Sequence, residues 1–473
     1  VLPKKPRVPE NTMTTDLPAA FLDALGDLLG ERLTTDDRVR SQHAADASYH
    51  PPQPPQAVAF PESNEEVVQL VRLCGAHRVP MIPYGTGTAV EGGIVASLGG
   101  LCVDLSRMNR VLRLGVPDMD ATVQAGLTRQ QLNQYLEAQG TGLHFPVDPG
   151  ADASLGGMAA TRASGSAAVR YGTMRDNVLG LKAVLADGTL ISTGSRARKS
   201  SAGYDLTRLL VGSEGTLGII TEVTLRLARL PEAVSAAVCP FADIESAVAA
   251  VIEVMGRGIP LARIELLDQV QMRAVNAYSR LDYEAAPTLF FEFHGSRTSV
   301  VEQAEAAGTI ARRHGGRDFR WAAGKEERDR LWQARYDAYY ASLALRPGSV
   351  GYVTDVCVPI SALAACIRET RKDLEDLSFP APLFGHVGDG NFHVVCLIDP
   401  HSPRELEQVK ELGRRLVARA LEAGGTCTGE HGIGLGKLAA LEQECGPAIQ
   451  AMRAIKQALD PYNLMNPGKV LRC

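Results

Sequence analysis

The chain has 473 residues, 45% of them hydrophobic and 22% charged, with a formal net charge of −5. Such a length exceeds what one hydrophobic core organises, so two or three domains are expected, and the balance of residues is that of an ordinary soluble globular protein. No basic block stands out beyond Lys4, Lys5 and Arg7, which argues against a nucleic-acid partner. No apolar run reaches the ~18 residues that suggest a transmembrane helix. The nine cysteines are scattered, with no Cys-x-x-Cys. That pattern disfavours a structural zinc cluster, an iron–sulfur site or a secreted disulfide framework, and favours a reducing compartment.

Residues 1–15 are proline-rich and lack an apolar signal core, so a disordered tail is expected there, with Met13 a candidate start. Over 16–30, Leu17, Phe21, Leu25 and Leu28 share one helical face. Residues 51–55 read as an extended connector. Ser63 and Glu66 predict a capping box for a helix striped by Val67, Leu70, Val71 and Cys74. A short strand at Met81 and Ile82 leads into a glycine-rich loop at 85–93. Strands follow over 101–105 and 121–125, and Thr128 with Gln131 caps a further helix. Residues 181–186 and 189–193 flank Asp187-Gly188 as a hairpin, and 217–227 reads as a long strand.

After Pro231 the glycine loops thin out. Helices are predicted over 244–255, 299–314, 325–345, 361–377, 404–423 and 447–459, and strands over 288–293, 350–358 and 391–398. This alternation, with antiparallel pairs, predicts an α+β sheet domain. The main boundary falls near 230, giving units at 16–230 and 231–445. Residues 446–473 are expected to return and cover the first unit.

Three segments of the first half are dense in glycine: 83–93, 148–157 and 212–218. Glycine lets backbone N–H groups approach an anion closely, and Thr or Ser hydroxyls add donors. Several such loops suit a diphosphate joining two large groups better than they suit tight turns alone. Familiar nucleotide motifs fail here. Gly85-x-Gly87 lacks the third glycine of the dinucleotide fingerprint. The run Gly432-Ile-Gly434-Leu-Gly436-Lys437 is one residue short of a P-loop, with Leu438 in place of Ser/Thr.

The most chemical stretches are Gly385-His-Val-Gly-Asp-Gly-Asn-Phe-His393 and Gly429-Glu-His-Gly432. Asp389-Gly390 predicts a two-residue type I′ hairpin. In that register Gly388 opposes Asn391 and His386 opposes His393, with Cβ atoms ~4.5–5.5 Å apart. One metal ion can then take both imidazoles, Glu430 can add an oxygen, and a position stays open for substrate. His431 is left as a free base beside it.

Taken together, 83–93, 146–157, Tyr171-Gly-Thr-Met-Arg-Asp-Asn177, 212–218, 385–393, 429–437 and Met465-Asn-Pro-Gly-Lys469 resemble the FAD-linked 2-hydroxyacid dehydrogenases of the vanillyl-alcohol oxidase superfamily. Within it, the chain is most similar to the cytochrome-linked D-lactate dehydrogenases, with glycolate oxidase flavoprotein subunits and D-2-hydroxyglutarate dehydrogenases as near relatives. The resemblance runs from about residue 45 to 470. It implies an FAD-binding domain and an α+β substrate (cap) domain with an antiparallel sheet. It also implies that Gly85, Thr86, Gly87, Thr88 and Gly92 line the pyrophosphate, and that Pro149, Ser154, Gly157, Thr161 and Gly165 contact the flavin. Glu214 and Ile219 would lie near the adenosine half, and Asn466 would close the site. Loop 83–93 has neither His nor Cys, so FAD is expected to be non-covalent.

The resemblance further implies that His386, His393 and Glu430 hold a divalent metal, zinc or manganese, that His431 is the catalytic base and that Arg335 binds the substrate carboxylate. Hydroxyglutarate enzymes carry a lysine where this chain has Val353, which favours a short apolar substrate. The expected reaction is oxidation of a D-2-hydroxy acid, D-lactate above others, to the 2-oxo acid with hydride transfer to flavin N5. No Cys-x-x-Cys-His haem motif is present, so electrons are expected to leave to an external quinone, cytochrome or electron-transfer flavoprotein. A cytoplasmic or membrane-peripheral location is expected, or a mitochondrial one in a eukaryote, and a homodimer is left open. Rival readings are a glycolate or other D-2-hydroxyacid dehydrogenase, a metal-dependent hydrolase built on His386, His393 and Glu430, and a non-catalytic flavin-binding subunit.

Overall fold

The structure, a computed structural model, describes residues 16–472; the expected disordered tail at 1–15 lies outside the described residues. The fold is α+β. Strands Ala57–Ala59, Leu101–Asp104 and Met81–Tyr84 form a small parallel sheet, with Leu33–Thr34 antiparallel at its edge. Helices Ala19–Leu29 and Asn64–His77 bury Phe21, Leu25, Val67, Leu70, Val71 and Cys74 against it. The capping box expected at Ser63 is half formed. Ser63 accepts from the Glu66 N–H, but the Glu66 carboxylate turns to Arg32, at 2.6 and 2.7 Å, and to the N–H of Glu62. A bidentate charged pair outcompetes the reciprocal cap. The box at Thr128 and Gln131 is complete.

A second sheet, fully antiparallel, runs in the order Val111–Gly115, Asp120–Gln124, Ile219–Arg226, Val178–Val184, Leu190–Gly194. The last two strands are the hairpin predicted about Asp187-Gly188. The chain's end rejoins this half: Met465 bridges Met81 in parallel after the helix Ile449–Leu459, and the Asn466 N–H donates to the Met81 carbonyl.

The second half builds an eight-stranded antiparallel sheet. Its order is Arg320–Ala322, Ala233–Pro240, Thr288–Gly295, Leu261–Leu267, Leu383–Gly385, Asn391–Ile398, Val350–Val353, with Val356–Cys357 also paired to Asn391–Ile398. Side chains alternate between its faces. Ile264, Leu266, Phe291, Phe293, Phe392 and Val394 enter an apolar core under helices Ile244–Gly256, Arg297–Arg313, Ile360–Glu375 and Pro403–Glu422. Leu267, Phe290, Phe384 and Val395 face helices Gln269–Ser279, Lys325–Tyr336 and Ala338–Ala344. Both faces are covered, which is why Leu289, Phe290, Phe291 and Phe293 are all apolar in a run interrupted only by Glu292.

Two expectations are corrected here. The single strand expected over 350–358 is two short ones, interrupted at Thr354–Asp355, because those residues turn to serve the site described below. The helix expected over 325–345 divides at Asp337, whose carboxylate accepts from Ser279 and Gln333. Among the described residues, no helix is long and apolar enough to cross a membrane.

Candidate active site

The glycine-rich segments converge on one cleft enclosing about 1270 Å³, part of it open to solvent. Gly85, Thr86, Gly87 and Thr88 line it, as do Pro149, Ser154, Gly157 and Thr161, with Glu214 and Asn466. Close approach of chain segments dictates the small residues. A Cβ at Gly85 would strike the Ser154 hydroxyl, and one at Gly156 would lie 2.5 Å from the Ala125 Cβ. Among the described residues, the backbone N–H groups of Thr86, Gly87 and Thr88 find no acceptor in the protein. Three successive free donors on a cleft wall fit an anionic group such as a pyrophosphate. Asn466 donates to the carbonyls of Gly93 and Glu214, while its buried Oδ1 lacks a partner and is free to accept from a ligand N–H.

Three expected cleft residues lie off this wall. Ile219 is fully buried in the core, and it is its strand neighbour Ile220 that lines the cleft, as strand alternation requires. Gly92 packs against His50 and Leu435, and Gly165 against the backbone of Asp148 and Pro149, so both shape the loops from behind. Glu214 lines the cleft, but its carboxylate accepts from the N–H groups of Ile433 at 2.7 Å and Gly434 at 2.8 Å. It ties the glycine run 432–436 to the first half of the chain.

Glu430 and His431 form the far wall of the same cleft. Behind them the Glu430 Oε1 lies 3.2 Å from both the His386 Nε2 and the His393 Nε2. A tetrahedral ion with ligand bonds of ~2.0–2.1 Å spaces its ligand atoms about 3.3–3.4 Å apart, so this donor set fits a divalent metal. The opposite ring nitrogens are anchored too: His386 Nδ1 meets Glu265 at 2.6 Å, and His393 Nδ1 meets the Thr354 carbonyl at 3.1 Å. Such outer partners fix the tautomer that presents Nε2.

The two histidines meet through a register different from the expected one. Phe384, not His386, opposes His393, and Leu383 opposes Val394. Only Gly390 has positive φ, at 79°, so the turn is not type I′; the Asp389 and Asn391 N–H groups both reach the His386 carbonyl. The shift spans an even number of residues, so both imidazoles stay on one face, diagonal neighbours with ring centroids 5.5 Å apart.

Burial lowers the pKa of His386, but the carboxylates of Glu265 and Glu430 outweigh it and raise the value to about 10. Burial raises the Glu430 carboxyl, yet His386 and His393 hold it well below the usual range. His431 is pushed down to about 4, chiefly by burial, and is neutral at pH 7. Its Nδ1 has no partner, and its ring stacks on His393 at 4.9 Å.

Asp355 is an organising residue absent from the sequence-based expectations. One oxygen accepts from Asn391; the other accepts from the Thr428 hydroxyl and from the N–H groups of Glu430 and His431, with Lys437 at 3.5 Å. Asp355, His393 and His431 also converge as a possible metal set. Asp355 has both oxygens occupied by donors, so the geometry favours the set His386, His393 and Glu430. Arg335 lies on the helix Lys325–Tyr336 and gives its Nε–H to Glu265 at 2.6 Å.

Comparison with known proteins agrees with this geometry. Residues 55–194 match the family described as FAD binding domain, and residues 196–470 match FAD linked oxidases, C-terminal domain. The chain belongs to the FAD-linked oxidases. A relative named probable D-lactate dehydrogenase, mitochondrial, from Danio rerio is 53% identical over 96% of this chain and 91% of its own length. A second, D-lactate dehydrogenase [cytochrome], mitochondrial, from Arabidopsis thaliana, is 46% identical over 96% of this chain and 80% of its own. The fold of this FAD-linked oxidase matches a crystal structure of p-cresol methylhydroxylase with substrate bound, with a TM-score of 0.80 at 18% identity over 95% and 96% of the two chains. That neighbour supports the vanillyl-alcohol-oxidase type of FAD-binding fold.

Proposed function

We propose that this protein oxidises a D-2-hydroxy acid, D-lactate above others, to the 2-oxo acid and passes the electrons from FAD to an external acceptor. The observation that carries this reading is the shared wall: Glu430 and His431 line the cleft of the glycine loops while standing against the two anchored imidazoles. A hydrolase built on the same donor set would not need its metal-facing wall to be the wall of an FAD cleft.

His431, neutral and partly buried, takes the substrate's hydroxyl proton. Arg335 binds the carboxylate, because its guanidinium keeps two terminal nitrogens beyond the one held by Glu265. His386, His393 and Glu430 would hold a zinc or manganese ion, which would supply Lewis-acid chemistry that favours loss of that proton. FAD, bound non-covalently along 83–93 and 148–157, supplies the hydride acceptor. Val353, partly buried and packed against the apolar core, provides no cation for a second carboxylate, in keeping with a short side chain on the substrate. A quinone, a cytochrome or an electron-transfer flavoprotein serves as acceptor, and in a eukaryotic source the relatives' names support a mitochondrial location.

The test is an anaerobic absorption spectrum of the FAD-loaded protein with D-lactate, and with L-lactate as control. D-lactate alone should bleach the oxidised-flavin band. His431→Ala should keep its flavin and be reduced on the order of a hundred- to ten-thousand-fold more slowly. Equal bleaching rates in variant and wild type would remove His431 as base. A flavin that no 2-hydroxy acid bleaches would remove the proposed reaction.

A further inference from the structure

Glu265 lies in the strand Leu261–Leu267 and is fully buried. Its neighbours Ile264 and Leu266 point into the apolar core, so Glu265 points to the opposite face. Leu267 opposes Phe384 and Leu266 opposes Gly385 on the adjoining strand. One step further along that register brings Glu265 level with His386. The two oxygens serve different partners: Oε1 meets the His386 Nδ1 at 2.6 Å and Oε2 accepts from the Arg335 Nε at 2.6 Å. A buried carboxylate is expensive to desolvate, and a well-packed apolar side chain in its place is often at least as stabilising. A contribution to stability therefore does not account for it.

We propose that Glu265 is a positioning residue whose single carboxylate sets both the metal-facing nitrogen of His386 and the aim of Arg335. This rests on the reading of His386 as a metal ligand and Arg335 as the carboxylate anchor. Accepting the Nδ1–H of His386 makes Nε2, which faces Glu430, the nitrogen that would give its lone pair to a metal. Accepting the Nε–H of Arg335 leaves its two terminal nitrogens as a fork for a carboxylate. The hydroxyl and carboxylate of a 2-hydroxy acid sit on adjacent carbons, so their receptors must keep a fixed separation. One rigid side chain joining the two receptors supplies it.

Glu265→Gln is close in size and tests this directly. The amide has one acceptor oxygen for two donors. If its NH₂ faces Arg335, two donors oppose each other. If it faces His386, the ring must carry its proton on Nε2, which removes that nitrogen as a ligand. The experiment titrates Zn²⁺ calorimetrically into metal-stripped, FAD-loaded protein and measures KM for D-lactate in the reconstituted enzyme. Wild type, Glu265→Gln, Arg335→Ala and His393→Ala are compared, with flavin content as the common control. Glu265→Gln should weaken Zn²⁺ binding roughly ten- to a hundredfold and raise KM, with flavin content unchanged. Arg335→Ala should raise KM while retaining Zn²⁺ affinity. A merely structural role would instead lower flavin content without a selective loss of zinc. Zinc affinity of Glu265→Gln within twofold of wild type, alongside loss in His393→Ala, would overturn the role of Glu265 and leave the metal site standing. Absence of zinc binding by wild type, or its survival in His393→Ala, would overturn the metal reading and this inference with it. If Glu265→Gln does not accumulate folded, Glu265→Asp reads the same quantities. It keeps both acceptors but loses reach, so both values should worsen, and unchanged values would overturn the proposal.

Discussion

At the scale of single residues, the site is governed by buried carboxylates, each serving several donors. Asp355 gathers the backbone of Glu430 and His431, and Glu214 gathers that of Ile433 and Gly434. Each turns a flexible glycine-rich stretch into a fixed one. A smaller instance gives a pH-dependent prediction. His43 is buried between the Val39 carbonyl, the Asp104 carboxylate at 2.9 Å and the rings of Phe60 and Tyr84. Burial lowers its pKa, but the bond and charge of Asp104 together with the bond to the Val39 carbonyl outweigh that, and the value rises above that of free imidazole. The folded state therefore holds the proton more tightly. The stabilisation is fully present below about pH 6.5 and is lost as pH rises through the folded-state value. Thermal midpoints recorded from about pH 5.5 to 8 should fall more steeply for wild type than for His43→Gln. Parallel curves would remove His43 as the source.

At the scale of elements, the turn at 386–391 holds the two imidazoles in place, and Gly390 is its weak point. It has φ of 79°, and an added Cβ would strike the Val358 carbonyl. Gly390→Ala should destabilise the protein by at least about 1–2 kcal/mol from backbone conformation alone. It should also reduce metal content, measured by elemental analysis beside a denaturation curve. Wild-type values of both would show that the turn tolerates a side chain. This segment also shows how far sequence reading reaches. The glycine, aspartate and histidine spacing predicts that His386 and His393 share a face, because face depends only on parity. The register depends on what lies beyond the turn, and the pairing of Phe384 with His393 is not encoded in the dipeptide Asp389-Gly390. Glu265 and Asp355 were illegible for a related reason. The strand Leu261–Leu267 interleaves Arg263 and Glu265 with apolar residues as a solvent-facing strand would, and nothing local says that its polar face meets His386, 121 positions on. That Ile220 rather than Ile219 lines the cleft depends on the same knowledge of parity.

At the scale of the whole molecule, the cleft is assembled from distant parts of the chain: Tyr84, Ser154, Glu214, His431 and Asn466 all border it. Asn466 is the clasp, with its Nδ2 on the Gly93 and Glu214 carbonyls. Asn466→Ala leaves two carbonyls without their donor, at roughly 1–3 kcal/mol each where buried. It should lower both the thermal midpoint and the flavin-to-protein ratio on purification. Full flavin occupancy in that variant would mean that the clasp is dispensable for the cofactor. The overall architecture was readable because it rests on long periodic segments and specific glycine runs, whereas the clasp's contacts span 252 and 373 positions and have no local signature. That span has a consequence for biosynthesis. A growing chain folds from its N-terminal side as it is made, yet the wall of this cleft includes residue 466. The glycine loops can form early, but the pocket cannot close until the chain has been synthesised through residue 466. Flavin capture therefore waits on the segment that carries Asn466.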